Sequence, residues 1–250
     1  MRLSIDDDLF EGYVMDGEEM IFIKQLSSII KKYPNRDHFV IFNINDIIDD
    51  PTIKACGLED VKSVTNAVGK VHGVVGSRAT TTCRVLEIAT EADFEFFQTN
   101  GSSVATANNN ILAVINQVEG VYQTTFNVRF LVTFQSVWST STDPYTSTTS
   151  NVVIDELANF WQANRSSVNR DAVHFFSAKT GHDVRGRAKV FGAVCDNIAN
   201  SYAFTATNVT NINQVITTAH EMGHLFGAIH PDGASASCSP TQTIMCILSC

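Results

Sequence analysis

The stretch His220-Glu221-Met222-Gly223-His224-Leu225-Phe226-Gly227-Ala228-Ile229-His230 carries the strongest signal in the sequence. It matches the pattern H-E-x-x-H-x-x-G-x-x-H at every fixed position. Residues four apart lie on one face of a helix, so His220 and His224 can offer their imidazoles to one ion. Gly227 permits a backbone turn that returns the chain and supplies His230 as a third ligand. The stretch therefore predicts a zinc (Zn2+) site with one coordination position left open.

Glu221 directly follows the first predicted ligand. We expect its carboxylate to act as general base toward a zinc-activated water and then to protonate the leaving amine. A structural or degenerate zinc site is an alternative, but it would give Glu221 no role. The other histidines lack ligand spacing and are expected to be packed or solvated: His38, His72, His174 and His182.

The apolar pattern around this stretch predicts an α/β fold with helices packed on a mixed, twisted sheet. The predicted elements are strands at 84–89, 126–132 and 172–176, helices at 102–119, 153–163 and about 212–226, and an edge strand after a loop within 181–190. The first 55 or so residues form a small β-rich module instead, with a hairpin turn at Asp16-Gly17. Residues 57–80 are polar and are expected to be a connector.

Composition excludes several classes of protein. With 44% hydrophobic and 17% charged residues the chain is typical of globular proteins, and its net charge of −9 disfavours nucleic-acid binding. No apolar run is long enough to span a membrane. Six cysteines favour disulfides in an oxidising compartment, with the pairing left open: Cys56, Cys83, Cys195, Cys238, Cys246 and Cys250.

The sequence resembles the metzincin zinc proteases, and within them the adamalysin (reprolysin, ADAM-like) branch. The zinc motif at 220–230 carries the resemblance, together with the methionine-turn-like Thr243-Ile244-Met245-Cys246 and the strand-like stretch from Cys83 to Asp93. The resemblance implies a metzincin-like catalytic domain that hydrolyses internal bonds of protein or peptide substrates. It also implies that Met245 forms an apolar floor beneath the zinc; the alternative is an ordinary buried methionine.

Residues 1–55 are similar to the C-terminal part of an ADAM-type propeptide. The resemblance makes Cys56-Gly57 a candidate cysteine switch, in which a thiolate fills the open zinc position of a latent zymogen. A disulfide partner or a buried thiol is the alternative for Cys56. The expected division is a propeptide-like segment and connector at 1–79 and a metzincin catalytic domain at 80–250.

The chain begins without a signal-peptide pattern and stops five residues after Met245. We therefore expect a C-terminally truncated fragment of a longer secreted or extracellular precursor. His230-Pro231 resembles the serralysin branch more closely than the adamalysin branch. Two other functions stay open, namely a catalytically silent zinc-fold binding module and a peptidase that uses a distant glutamate ligand. A serine or cysteine nucleophile is disfavoured, because no G-x-S-x-G precedes a helix.

Overall fold

The computed structural model describes residues 1–6, 9–16, 19–30, 33, 35–43, 46, 54–57, 84–194, 197–207, 211–230 and 244–245. The strands are β1 (Arg2–Asp6), β2 (Leu9–Asp16), β3 (Glu19–Gln25), β4 (Phe39–Asn43), β5 (Lys54–Cys56), β6 (Arg84–Ala92), β7 (Val128–Val137), β8 (Ala172–Ser177), β9 (Val184–Ala188) and β10 (Tyr202–Ala206). The helices are α1 (Leu26–Ile29), α2 (Phe94–Thr99), α3 (Val104–Phe126), α4 (Ser150–Asn164) and α5 (Asn211–Leu225).

The larger sheet has six strands in the order β5-β9-β10-β8-β6-β7. Strands β7, β6, β8 and β10 run parallel, whereas β9 runs antiparallel to β10. Helices α2 and α3 join β6 to β7, and α4 joins β7 to β8, because a parallel pair needs a long crossover connection. The chain passes from β8 to β10 through β9 instead. The predicted α/β class with a mixed sheet is confirmed, and α5 begins and ends one residue before the predicted limits. Strand β10 was not predicted from the sequence pattern.

Apolar side chains cover both faces of this sheet. One face packs against α3 and α5 through residues such as Ile88, Ile111 and Met222, each 0% exposed. The other face packs against α4, where Trp161 and Phe204 are also 0% exposed. Three layers of helix, sheet and helix therefore form the core, as expected for a sheet whose two faces are both apolar.

Helix α3 shows how local signals set the limits of an element. Its first turn is capped by Ser103, whose hydroxyl accepts a hydrogen bond from the Thr106 amide. The helix ends at Asn127, which adopts the left-handed conformation with φ 54°. Its apolar face is buried at Ile111, Val114, Ile115 and Val118, whereas Leu112 is exposed. The helix extends to Phe126, seven residues beyond the predicted 119.

Strands β1 to β4 form a second, antiparallel sheet that packs against α3. A buried ion pair joins Lys24 Nζ to Glu11 Oε2 at 3.0 Å, and Gln117 of α3 donates to the other Glu11 oxygen at 3.1 Å. Tyr13 donates from its hydroxyl to the Gln117 carbonyl, and it packs with Phe22 in a small apolar cluster. The predicted β-rich module is therefore present; its assignment as a pro-segment stays a prediction.

The short strand β5 pairs in parallel with β9, with Cys56 opposite Gly186. Strand β9 was predicted to be an edge strand, but β5 covers it, so β9 lies inside the sheet. Pairing between segments so far apart in the chain leaves no local pattern, which explains the difference. The connector predicted at 57–80 lies outside the described residues from residue 58 onward.

No described helix combines the length and the apolar character that crossing a bilayer requires.

His174 offers a test of the buried polar contacts between the sheet and α5. Its Nε2 lies 2.9 Å from Thr205 Oγ1, which in turn lies 3.0 Å from Thr218 Oγ1 on α5. Burial lowers the pKa of His174 from 6.5 to about 3. A depressed histidine pKa contributes stability that is complete above pH 6.5 and is lost as the pH falls toward 3.

The wild type should lose free energy of unfolding between pH 7 and pH 4.5. We expect His174→Gln to lose about 3 kcal/mol less over the same range. Urea unfolding at the two pH values measures this difference. His38→Gln, at an exposed position, is the matched control and should leave the loss unchanged. An equal loss in the wild type and in His174→Gln would contradict the assignment.

Candidate metal centre

Helix α5 carries three fully buried polar side chains in its last two turns. His220, Glu221 and His224 are each 0% exposed. The helix packs between the sheet and α3, and the Tyr122 hydroxyl of α3 donates to the Ala219 carbonyl at 2.7 Å. His220 and His224 lie one turn apart, with ring centroids separated by 4.5 Å. The predicted helical presentation of these two imidazoles is therefore observed.

A glycine turn brings the third histidine to the same place. Gly227 has φ 94°, in the left-handed region that side chains disfavour. Backbone hydrogen bonds from Gly227 to the His224 carbonyl and from Ala228 to the Gly223 carbonyl close the helix end. His230 Nε2 then lies 3.0 Å from His220 Nε2. The local chain reversal expected from the motif is present.

Backbone carbonyls orient the two helix histidines. His220 Nδ1 lies 3.0 Å from the Ile244 carbonyl, and His224 Nδ1 lies 2.8 Å from the Ala228 carbonyl. A carbonyl only accepts hydrogen bonds, so each Nδ1 donates a proton and each Nε2 presents a lone pair. Burial and, to a smaller extent, the neighbouring His224 lower the pKa of His220 to about 3, so the imidazole is neutral. Neutral imidazole is the form that binds metals.

Cys56 of β5 completes this cluster. Its sulfur lies 3.5 Å from His224 Nε2, and one donor atom from each of Cys56, His220, His224 and His230 lies within 4.8 Å of all the others. Nitrogen and sulfur donors about 2.0 to 2.3 Å from a tetrahedral ion lie roughly 3.3 to 3.8 Å apart. Three imidazoles and one sulfur brought this close together are able to hold a metal ion.

Glu221 is buried beside this cluster. Its carboxylate lies close to the Cys56 side chain and the Ala188 amide. Burial raises the pKa of Glu221 to about 8, while the Cys56 side chain, the Ala188 amide and the Arg187 charge offset part of the increase. A carboxyl group that titrates near neutral pH can both accept and release a proton, as a general base must.

Gly186 of β9 makes the space for Glu221. A Cβ atom at Gly186 would lie 2.8 Å from Glu221 Oε1 and would also collide with Thr217. Any other residue would displace the carboxylate or separate α5 from β9. This role of Gly186 was not predicted from the sequence, although a glycine inside a predicted strand often marks a close approach of this kind.

The predicted methionine-turn residue lies against α5. A Cβ atom at Gly223 would lie 2.5 Å from Met245 Sδ, so this glycine provides the space for the methionine. The preceding residue, Ile244, supplies the carbonyl that orients His220. The placement agrees with a floor for the metal centre, and that role stays a prediction.

The remaining predicted residues lie elsewhere or outside the described part of the chain. His174 is buried in the sheet, His182 contacts Ser177 at 2.8 Å, and the exposed His38 lies near Tyr33. His72 is outside the described residues, as are the cysteines other than Cys56: Cys83, Cys195, Cys238, Cys246 and Cys250.

Clustered histidines on a buried helix, with a carboxylate beside them, define a metallopeptidase-type centre on an α/β scaffold. Residues 79–249 match the sequence profile described as Metallo-peptidase family M12, and the chain belongs to that family. This family consists of metal-dependent peptidases.

Among solved structures, the chain is similar to one described as "Structure of a chaperone-substrate complex". The sequence identity is 13% and the TM-score is 0.49. The similarity covers 62% of this chain and 25% of that chain, so this chain spans about a quarter of the length of that structure.

The cluster predicts one bound zinc ion per chain. We expect His230→Ala to weaken zinc binding by at least about a hundredfold, because it removes one of the nitrogen donors. Competition against a chromogenic zinc chelator measures the affinity. His38→Ala removes a histidine outside the cluster and should bind like the wild type. Unchanged affinity in His230→Ala would show that His230 is not a ligand.

Proposed function

We propose that the chain is a zinc-dependent endopeptidase of the adamalysin-like type, made as a latent zymogen. One observation carries the proposal: three imidazoles and the Cys56 sulfur surround a common point beside a buried carboxylate, Glu221. The imidazoles of His220, His224 and His230 would hold the ion in the active form. The Cys56 thiolate would be a fourth, removable ligand.

The mechanism assigns separate tasks to the ion and to the protein. A zinc ion, when bound, supplies Lewis-acid chemistry that polarises the scissile carbonyl and acidifies a water molecule. A carboxylate oxygen of Glu221 takes the proton from the attacking water. The same oxygen then delivers this proton to the leaving amine as the peptide bond breaks. Gly186 keeps space for the carboxylate of Glu221.

Strand β9 is the proposed binding edge for substrate. Its outer side is paired with β5, which presents Cys56 to the histidines. When β5 leaves, the backbone groups of β9 are able to pair with an extended peptide. Such a peptide would pass the metal ligands at the level of Gly186, where Cys56 lies in the latent form. Latency then follows because β5 and substrate occupy the same place.

The domain division expected from the sequence fits this proposal. The segment 1–79 includes the sheet β1–β4 and strand β5, and the segment 80–250 contains the other five strands and the helices that hold the histidines. We propose that the first segment is an inhibitory propeptide. We also propose a secreted or extracellular location, on the grounds of the six cysteines and the adamalysin-like resemblance.

Glu221→Gln tests the proposed general base. It preserves the volume of the side chain but removes the group that accepts the proton, so turnover should fall by at least about a thousandfold. Zinc content should stay at one per chain, because Glu221 is not a proposed ligand. Cleavage of a quenched fluorescent peptide, measured together with metal content, provides the test. Turnover equal to that of the unmodified chain would exclude Glu221 as the base.

Cys56→Ser tests latency. A serine hydroxyl is a much weaker zinc ligand than a thiolate, so peptide cleavage should increase by at least about tenfold over the wild type. A zinc chelator should abolish the added activity. The double variant Cys56→Ser, Glu221→Gln is the matched control and should stay inactive. If Cys56→Ser binds zinc, and cleavage stays at the wild-type level, the thiolate is not the inhibitory ligand.

A further inference from the structure

Arg187 of β9 has a charged side chain with an unusual set of contacts. Its Nη1 donates a hydrogen bond to the carbonyl of Gly57, directly after Cys56. Its Nε is buried and has no hydrogen-bond partner among the described residues. No ion pair between described residues includes Arg187, although its charge is close enough to lower the pKa of Glu221. A neutral carbonyl is therefore the hydrogen-bond acceptor that this guanidinium contacts.

The space beside Arg187 is narrow while β5 is in place. A Cβ atom at Gly57 would lie 3.1 Å from Ser150 Oγ, 3.1 Å from Val184 Cγ2 and 3.3 Å from Arg187 Nη1. The nearby carboxylate of Asp183 accepts hydrogen bonds from the Ser150 amide and hydroxyl. When β5 leaves, the Gly57 carbonyl leaves with it, and the guanidinium faces the space that Gly57 filled.

We propose that Arg187 forms a carboxylate-binding subsite beside the metal centre, covered by Gly57 in the latent chain and open to an acidic substrate group once β5 has left. The inference rests on the proposed function, because it assigns a ligand class to the same cleft. The carboxylate comes from an aspartate or glutamate side chain of the substrate, or from the C-terminus of the peptide.

The chemistry favours this ligand over another carbonyl. A guanidinium and a carboxylate form two parallel hydrogen bonds in which both partners are charged, whereas an uncharged carbonyl oxygen offers the guanidinium neither the opposite charge nor the second oxygen. The buried position of Nε reduces solvent screening of the pair. The chain as a whole has a net charge of −9, so a preference for acidic peptides requires a local positive charge such as this one.

The test uses the full chain carrying Cys56→Ser, loaded with zinc. Fluorescence anisotropy measures the binding of labelled ten-residue peptides that differ at one position, with Glu in one member of each pair and Gln in the other. Further pairs of peptides place the Glu or Gln at each of the other positions. A second pair compares a free C-terminal carboxylate with a C-terminal amide. Cleavage of the same peptides is followed separately.

We expect one Glu peptide, or the peptide with the free C-terminus, to bind at least about tenfold more tightly than its neutral partner. Adding Arg187→Gln should remove this preference, and Arg187→Glu should transfer it to a peptide with Lys at the same position. Lys189→Gln makes the same change of net charge just beyond β9, at a residue that contacts Asp155, and should keep the preference.

Equal binding within every pair would overturn the proposal, as would a preference that persists in Arg187→Gln. The outcomes separate this inference from the proposed function. A charge preference that depends on Arg187, without cleavage, supports the subsite and counts against the peptidase. Cleavage without a charge preference supports the peptidase and refutes the subsite.

Discussion

The structure around the metal centre depends on the burial of a helix whose last turns are polar. His220, Glu221 and His224 are completely buried on α5, where an uncompensated polar group costs about 1–3 kcal/mol. Carbonyls of Ile244 and Ala228 satisfy the two Nδ1 atoms from outside the regular helix. The remaining nitrogens point to one place. Lone pairs held together in this way favour a cation. The burial of these side chains therefore costs free energy in the absence of a metal ion and favours the binding of one.

Two separate contacts hold the N-terminal segment on the rest of the chain. At one, β5 pairs with β9 and presents Cys56 to the histidines. At the other, the sheet β1–β4 contacts α3 through the buried pair of Lys24 and Glu11 and through Gln117. The ion pair itself joins β2 to β3, and the amide of Gln117 links Glu11 of this pair to α3. A segment held by two distant contacts has a high effective concentration at each, which would support the proposed latency.

The sequence predicted the parts of this structure that local rules control. The motif placed three histidines and Glu221 within eleven residues of chain, where helix periodicity and one glycine determine their positions. Apolar periodicity likewise located α3, α4 and α5. Strand β5 was not predicted, because three residues with no alternating pattern become a strand only when β9 supplies the partner. The buried ion pair was also missed, since a lysine and a glutamate in a strand are typical of a solvated face.

The least predictable residues of the site, Gly186 and Arg187, are neighbours on one strand. Successive residues of a strand point to opposite faces. Gly186 therefore faces α5, where the missing side chain leaves space for Glu221, and Arg187 contacts the Gly57 carbonyl instead. The backbone of Gly186 meanwhile pairs with β5 and accepts a hydrogen bond from the Gly57 amide at 2.9 Å. Strand β9 thus provides the space for Glu221, the backbone edge proposed to bind substrate, and the positive charge of Arg187. Removing β5 would expose the backbone of β9 and the Arg187 guanidinium together. The event that opens the proposed metal centre would therefore also create the proposed preference for acidic substrates.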